Sequence, residues 1–265
     1  MFKDLLLDFG FCESDCKKLI ASYSLKTFVD ENLCNRFINF RDYFWNLGYS
    51  NDEIIKILRD IPAIIFLNVN TISDKFNYLL SLGYKEEEIN KMWKKFPVLI
   101  SLGVESINSK RESMIEMGYT NEDVLKMTRL VPSLYSYSMD NMKKKFSDLV
   151  SLNYSKEEVL KITKDFPDIY GLTIECIKEK IDFYNLIGMH EVAVKSPKYL
   201  MQSVRLSYAR YQFYLSKGYS VDMCNYKDLF IGEKQFRRTY DTTKEYILEK
   251  YNYNEYLKNK KLVKE

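Results

Sequence analysis

The chain holds one histidine, two tryptophans, five prolines and nine glycines among 265 residues. Each scarcity closes off a class of function. His190 is the single imidazole, which excludes most histidine-based acid–base catalysis. The five cysteines, Cys12, Cys16, Cys34, Cys176 and Cys224, are odd in number and widely spaced. They read as small buried apolar side chains of a reducing compartment, because a zinc site needs more ligands than they and one histidine supply. There is no phosphate-cradling glycine loop and no nucleophile with a base. No catalytic residue, metal ligand or cofactor is therefore assigned, and the chain reads as a non-enzyme. No apolar run reaches the length of about 18 residues that spans a bilayer, so no membrane partner is expected. Asp4 and Asp8 interrupt the opening apolar stretch, unlike a signal peptide. The expected location is intracellular: cytoplasmic in a bacterium, or an organellar matrix after trimming of a eukaryotic precursor.

The net charge of +3 is small but unevenly spread. Residues 190–265 carry 15 Lys+Arg against 9 Asp+Glu, whereas residues 1–189 carry 25 against 28. The C-terminal third is the natural place for an anionic partner.

The few prolines keep time. Pro62, Pro97, Pro132 and Pro167 stand 35 residues apart, and Pro197 follows 30 later. Fourteen residues before the first four stand Gly48, Gly83, Gly118 and Asn153, a column that Gly10, Gly188 and Gly218 extend. A fixed period of this size marks a helical-repeat solenoid, whose units cannot bury a core alone.

One unit runs from Leu47 to Leu82. Gly48 closes a helix in the left-handed conformation, and Asn153 is the next most tolerant residue for that place. Ser50 with Glu53 forms a capping box, repeated by Thr120 with Asp123 and Ser155 with Glu158, while Lys85 with Glu88 keeps half of it. The first helix buries Ile54, Ile55, Ile57, Leu58 and Ile61 until Pro62 stops it. A connector carries Ile64 and Ile65 inward, and a second helix starting near Val69 or Thr71 buries Ile72, Phe76, Leu79 and Leu82. The Ile54 column continues as Ile89, Val124, Val159 and Val194, and the Phe76 column as Phe146, Ile181 and Tyr211. Arg111 breaks the latter; either its helix rotates or its charge is used. Residues 1–46 form a degenerate capping unit, 47–218 the repeats and 219–265 a C-terminal helical segment, all in one all-α domain. The unit that opens at Gly188 is five residues short, which predicts a bend or a change of twist.

Three cation columns share the period. Lys18, Lys56, Lys91, Lys126 and Lys161 form the first, the last four each following an acid by four residues, and it reads as a solvated face. Arg59, Lys94, Arg129 and Lys164 sit near the end of the first helix, where they complement its dipole. Lys75, Lys110, Lys145, Lys180 and Arg210 lie midway along the second helix with no acid four residues away on either side. Two readings stay open for this third column: a ladder that tracks a phosphate backbone, or alkyl stems packed on the neighbouring unit with the amines snorkelling. Arg205, Arg237 and Arg238 add forked donors suited to phosphate. Tyr208, Tyr211, Tyr214 and Tyr240 interleave with them as half-buried core residues able to stack on bases.

The recurring phrase around Leu47-Gly48-Tyr49-Ser50 and Pro62, with the stretch Ser196-Pro197-Lys198-Tyr199-Leu200 through Arg210 to Gly218 and the segment Gly232 to Tyr240, resembles the mitochondrial transcription termination factor (mTERF) family. The resemblance covers roughly Gly48 to Tyr240. It implies a left-handed superhelix of two-helix units, each with a short 3₁₀ turn, and nucleic-acid binding along a positively lined groove. The function expected is binding of duplex DNA, or of structured RNA, through the backbone in regulation of transcription. The site residues expected are Lys75, Lys110, Arg111, Lys145, Lys180, Arg205, Arg210, Arg237 and Arg238. The alternative is a protein-binding solenoid, an adaptor or accessory subunit of a larger complex.

Overall fold

The computed structural model describes residues 1–24 and 30–251. Every regular element among them is helical, and the chain forms two compact units, Met1–Met139 and Asp140–Glu265. None of the described helices is long and apolar enough to cross a membrane.

In the first unit, α1 (Phe2–Phe9), α2 (Glu13–Ser24) and α3 (Asp30–Asn46) precede the periodic part. The repeat then runs α4 (Asn51–Asp60), a 3₁₀ turn (Pro62–Phe66), α5 (Val69–Ser81), α6 (Glu86–Lys95), the single turn α7 (Val98–Ser101), α8 (Val104–Glu116), α9 (Asn121–Leu130) and a second 3₁₀ turn (Pro132–Ser136). Each first helix ends one residue before the residue that precedes proline, because that ring cannot follow a helical carbonyl and fixes the start of the tighter turn instead. The capping boxes of Ser50, Thr120 and Ser155 form as expected. At Lys85 only the backbone half remains, the amide donating to Glu88 Oε2 at 3.0 Å.

In the second unit, α10 (Met139–Val150), α11 (Lys156–Asp165), a 3₁₀ turn (Pro167–Gly171) and α12 (Ile174–Leu186) keep the pattern. The short repeat then reduces its first helix to one turn, α13 (Val192–Lys195), before the turn Pro197–Met201 and α14 (Val204–Ser216). Here Val194 is only half-buried while Met189, Val192 and Ala193 are buried, so Val194 does not extend the Ile54 column. The turn Tyr226–Phe230, α15 (Glu233–Tyr240) and α16 (Lys244–Lys250) complete the described chain.

The glycine column adopts positive φ throughout, and Asn153 takes φ 70° in the same place. Asparagine can hold the left-handed conformation because its short amide side chain costs less there than a branched one. The residue that follows is a buried tyrosine in four successive units: Tyr49, Tyr84, Tyr119 and Tyr154. The hydroxyls of Tyr49, Tyr84 and Tyr154 reach into the following repeat. Tyr49 Oη donates to the main-chain oxygen of Asn90 at 3.2 Å, and Tyr154 Oη to that of His190 at 3.2 Å. The Ile54 column, Ile54, Ile89, Val124 and Val159, is fully enclosed, as are Ile64, Leu99, Leu134 and Ile169. The cysteines divide: Cys16 and Cys34 are buried as expected, Cys176 is half-buried, and Cys12 and Cys224 are exposed.

Candidate nucleic-acid interface

The three cation columns take three different places. Lys56, Lys91, Lys126 and Lys161 are exposed. The second column ties consecutive repeats together. Lys94 Nζ lies 2.8 Å from Glu53, and Arg129 Nη1 lies 2.9 Å from Glu88, each acid being the one that caps the first helix of the preceding repeat. Arg59 makes the equivalent pair with Asp15 of α2 at 2.5 Å. The backbone bond from Lys85, followed by the charge of Arg129, holds the Glu88 carboxyl below its ordinary range. These cations therefore serve the stacking of repeats as well as the helix dipole.

The third column turns inward. Lys75 is buried, and its ammonium donates to the main-chain oxygen of Ile100. Lys110 donates to that of Tyr137, and Lys145 to those of Tyr170 and Leu172. Arg210 is buried as well, with Nη1 donating to Leu229 at 3.0 Å and Ile231 at 2.7 Å while its guanidinium lies over the Phe236 ring at 4.3 Å. All these acceptors close the short turn that follows proline, or its counterpart Tyr226–Phe230, in the next repeat. A short turn ends in carbonyls that no further helical N–H satisfies. A long cationic side chain from the preceding second helix supplies the missing donors. In the first repeat, where Phe40 occupies the column, Arg36 one turn earlier does so for Phe66 at 3.3 Å.

The expectation of a phosphate ladder is thereby corrected for Lys75, Lys110, Lys145 and Arg210, whose charged ends are committed to main-chain oxygens. It is corrected for Lys180 too. That side chain is buried and turns back onto its own helix, to Cys176 Sγ at 3.0 Å and the Cys176 carbonyl oxygen at 3.2 Å. The repeat ahead of Lys180 is the one five residues short. Burial pushes Lys75 down to about 8, and it lowers Lys145 and Arg210 as well.

Arg111 does not rotate its helix. Ile107 and Met114 are enclosed as Ile72 and Leu79 are in α5, and the half-buried guanidinium reaches Asn121 Oδ1 at 2.7 Å and Asn108 Oδ1 at 3.4 Å. Arg205 at the start of α14 and Arg237 and Arg238 in the last turn of α15 are exposed. Among the described residues, none of these three guanidinium groups makes a hydrogen bond or ion pair. Of the interleaved tyrosines, Tyr208 and Tyr214 are buried and Tyr211 and Tyr240 half-buried. Two exposed tyrosines escaped the sequence reading, Tyr219 and Tyr246. The signal for Tyr219 was present: Ser220 is followed three residues later by Met223, where a capping box needs an acid. No group of side chains able to hold a metal ion occurs among the described residues.

A protein-family model described as mTERF matches residues 70–237. No curated protein matches the chain.

Proposed function

The chain belongs to the mTERF family, and from that premise we propose that it acts by binding nucleic acid, without catalysis, through the phosphate backbone of duplex DNA or structured RNA in regulation of transcription. The observation that carries this reading is the set Arg205, Arg237 and Arg238. These are exposed, uncommitted guanidinium groups in the segment of the chain with the largest positive excess. A guanidinium offers a planar fork that fits phosphate oxygens, and three of them neutralise backbone charge without reading bases. Arg111 is a further, weaker contact, since two asparagines share its donors.

The test is the salt dependence of duplex binding. Each phosphate neutralised contributes a slope of about −0.9 in log K against log salt. Replacing Arg205, Arg237 and Arg238 together by Gln flattens the slope by about 2 to 3. A slope left unchanged by the triple substitution rejects these residues as the contact. A protein that co-purifies with the chain and stays bound at high salt, with no duplex bound, replaces the reading by the adaptor alternative.

A further inference from the structure

Tyr219 is the last member of the tyrosine column, and among the described residues its ring meets Tyr214 edge to face, with centroids 6.3 Å apart, and is otherwise largely open. Its backbone is fixed as in the earlier repeats: Gly218 has φ 75°, and the Tyr219 amide donates to the Tyr214 oxygen at 3.0 Å, as Tyr49 donates to Phe44 at 3.0 Å. In the earlier repeats a first helix follows at once, and the hydroxyls of Tyr49, Tyr84 and Tyr154 reach residues of the following repeat. After Tyr219 no capping acid is present and no helix forms before the turn at Tyr226. The ring is 54% exposed, against 2–4% for its four counterparts.

With Tyr214 and Tyr240 it lines a cavity of about 450 Å³, into which the backbone from Gly218 to Val221, Asn225 and Asp228 also open. Tyr214 and Tyr240 meet edge to face with centroids 5.0 Å apart, which fixes the orientation of the inner rings. Tyr240 is also a wall of a second cavity of about 360 Å³. That cavity is lined by Lys217, Lys250, Thr242 and Thr243, by Asp241, and by Tyr246, which is 50% exposed. Lys217 is exposed, and Lys250 Nζ donates to Tyr246 Oη at 3.2 Å.

An aromatic slot beside a cleft with two lysines and two hydroxyls matches one ligand chemistry, a flat heteroaromatic ring carrying a phosphate. We propose that these two cavities, which share the Tyr240 ring as a wall, bind a nucleoside monophosphate unit. The base lies against Tyr219 and Tyr240, and the phosphate is held by Lys217 and Lys250 with the Thr242 hydroxyl. The Asp228 carboxylate accepts from an exocyclic amine of the base. That acceptor favours guanine, cytosine and adenine over uracil and thymine, which have no such amine. The unit is either an unpaired nucleotide of a strand or a free mononucleotide. The first source deepens the nucleic-acid reading above and rests on it; the second does not.

The experiment titrates the full chain with AMP, GMP, CMP and UMP, with guanosine, and with a short single-stranded oligonucleotide bearing a 5′-phosphate. Binding is read by calorimetry and by ligand-observed NMR. Tyr219→Ala and Lys217→Gln are compared with the parent; both side chains are exposed, so folding is retained and is checked by circular dichroism. The expected result is binding of GMP, or of the single strand, that weakens about tenfold or more in Tyr219→Ala. Lys217→Gln weakens GMP but leaves guanosine unchanged. Loss confined to the oligonucleotide identifies the strand as source, and loss of GMP binding identifies the free nucleotide. No binding of either ligand by the parent, or equal binding by parent and variants, overturns the proposal. Duplex binding measured on the same preparations separates the two readings. If it persists with its salt slope while both small ligands fail, only this site is rejected. If it is absent while GMP binds, only the backbone-binding function is.

Discussion

The ammonium of Lys145 donates to two main-chain oxygens of the next repeat, Tyr170 at 2.7 Å and Leu172, and so closes the turn Pro167–Gly171 from outside. Tyr170 is buried, so its carbonyl has no ready access to water in exchange. Lys145→Met keeps the alkyl stem and removes the donors. It is expected to destabilise the protein by about 1–3 kcal/mol, the cost of leaving buried acceptors unpaired. Lys145→Arg should cost less, since Arg210 performs the same task with a guanidinium. Denaturant unfolding checks the order, and a Met variant as stable as the parent would remove the capping role.

Lys75 makes the same contact from a more enclosed position, and burial pushes its pKa down to about 8. The folded state therefore binds fewer protons than the unfolded state between that value and the ordinary lysine pKa. Linkage makes stability rise with pH across this window, as the cost of burying the charge is relieved. The stability of the parent relative to Lys75→Met, which cannot titrate, should increase from pH 7 to about 10.5 by up to about 3 kcal/mol. A difference independent of pH would show that the ammonium keeps its normal basicity on the Ile100 carbonyl.

The helices, their caps and their core columns were legible because each depends on neighbours in sequence. Ser50 finds Glu53 three residues on, Gly48 ends the helix that precedes it, and Pro62 ends the one before it. The third cation column was legible as a pattern but not as a structure. Lys75, Lys110 and Lys145 lack a local acid, and that absence fits a free amine and an amine spent on a main-chain oxygen equally well. The acceptor is a backbone atom 25 or 27 residues away and leaves no residue type in the sequence. The pair of Arg129 with Glu88 was hidden for a different reason. Glu88 already had a local explanation as a cap, and its second use across 41 residues depends on how the repeats stack. Tyr219 shows the reverse case, in which one missing acid at Met223 foretells the missing helix between Tyr219 and Tyr226.

The Arg129–Glu88 pair can be isolated because glutamine also serves in a capping box. Glu88→Gln keeps an acceptor for the Lys85 amide and loses only the charge, while Arg129→Met removes the partner. Both side chains are partly exposed, at 37% and 23%, so solvent screens the pair and the expected coupling is about 0.5–1 kcal/mol in a double-mutant cycle. Because the Glu88 carboxyl is held below its ordinary range, this coupling is complete above the usual glutamate pKa and disappears as pH falls through the lowered one. High salt should reduce it as well. A cycle that closes to zero at low salt would mean the two repeats are joined by packing alone.

Tyr84 sits in a buried chain of hydroxyls whose direction is fixed at one end. Thr128 Oγ1 donates to the Val124 oxygen at 2.6 Å, so the contact between Tyr84 Oη and Thr128 Oγ1 has the phenol as donor. Tyr135 Oη, 2.8 Å from Tyr84 Oη, then donates to it. The two ends of such a chain are not equivalent. Tyr135→Phe removes the first donor and leaves every remaining hydroxyl with an acceptor, so it should cost less than about 1 kcal/mol. Thr128→Val preserves shape but removes the final acceptor, so that one buried O–H goes without a partner however the other two reorient. That substitution should cost about 1–3 kcal/mol. The order of the two losses in denaturant unfolding tests the direction of the chain, and a larger loss for Tyr135→Phe would reverse it.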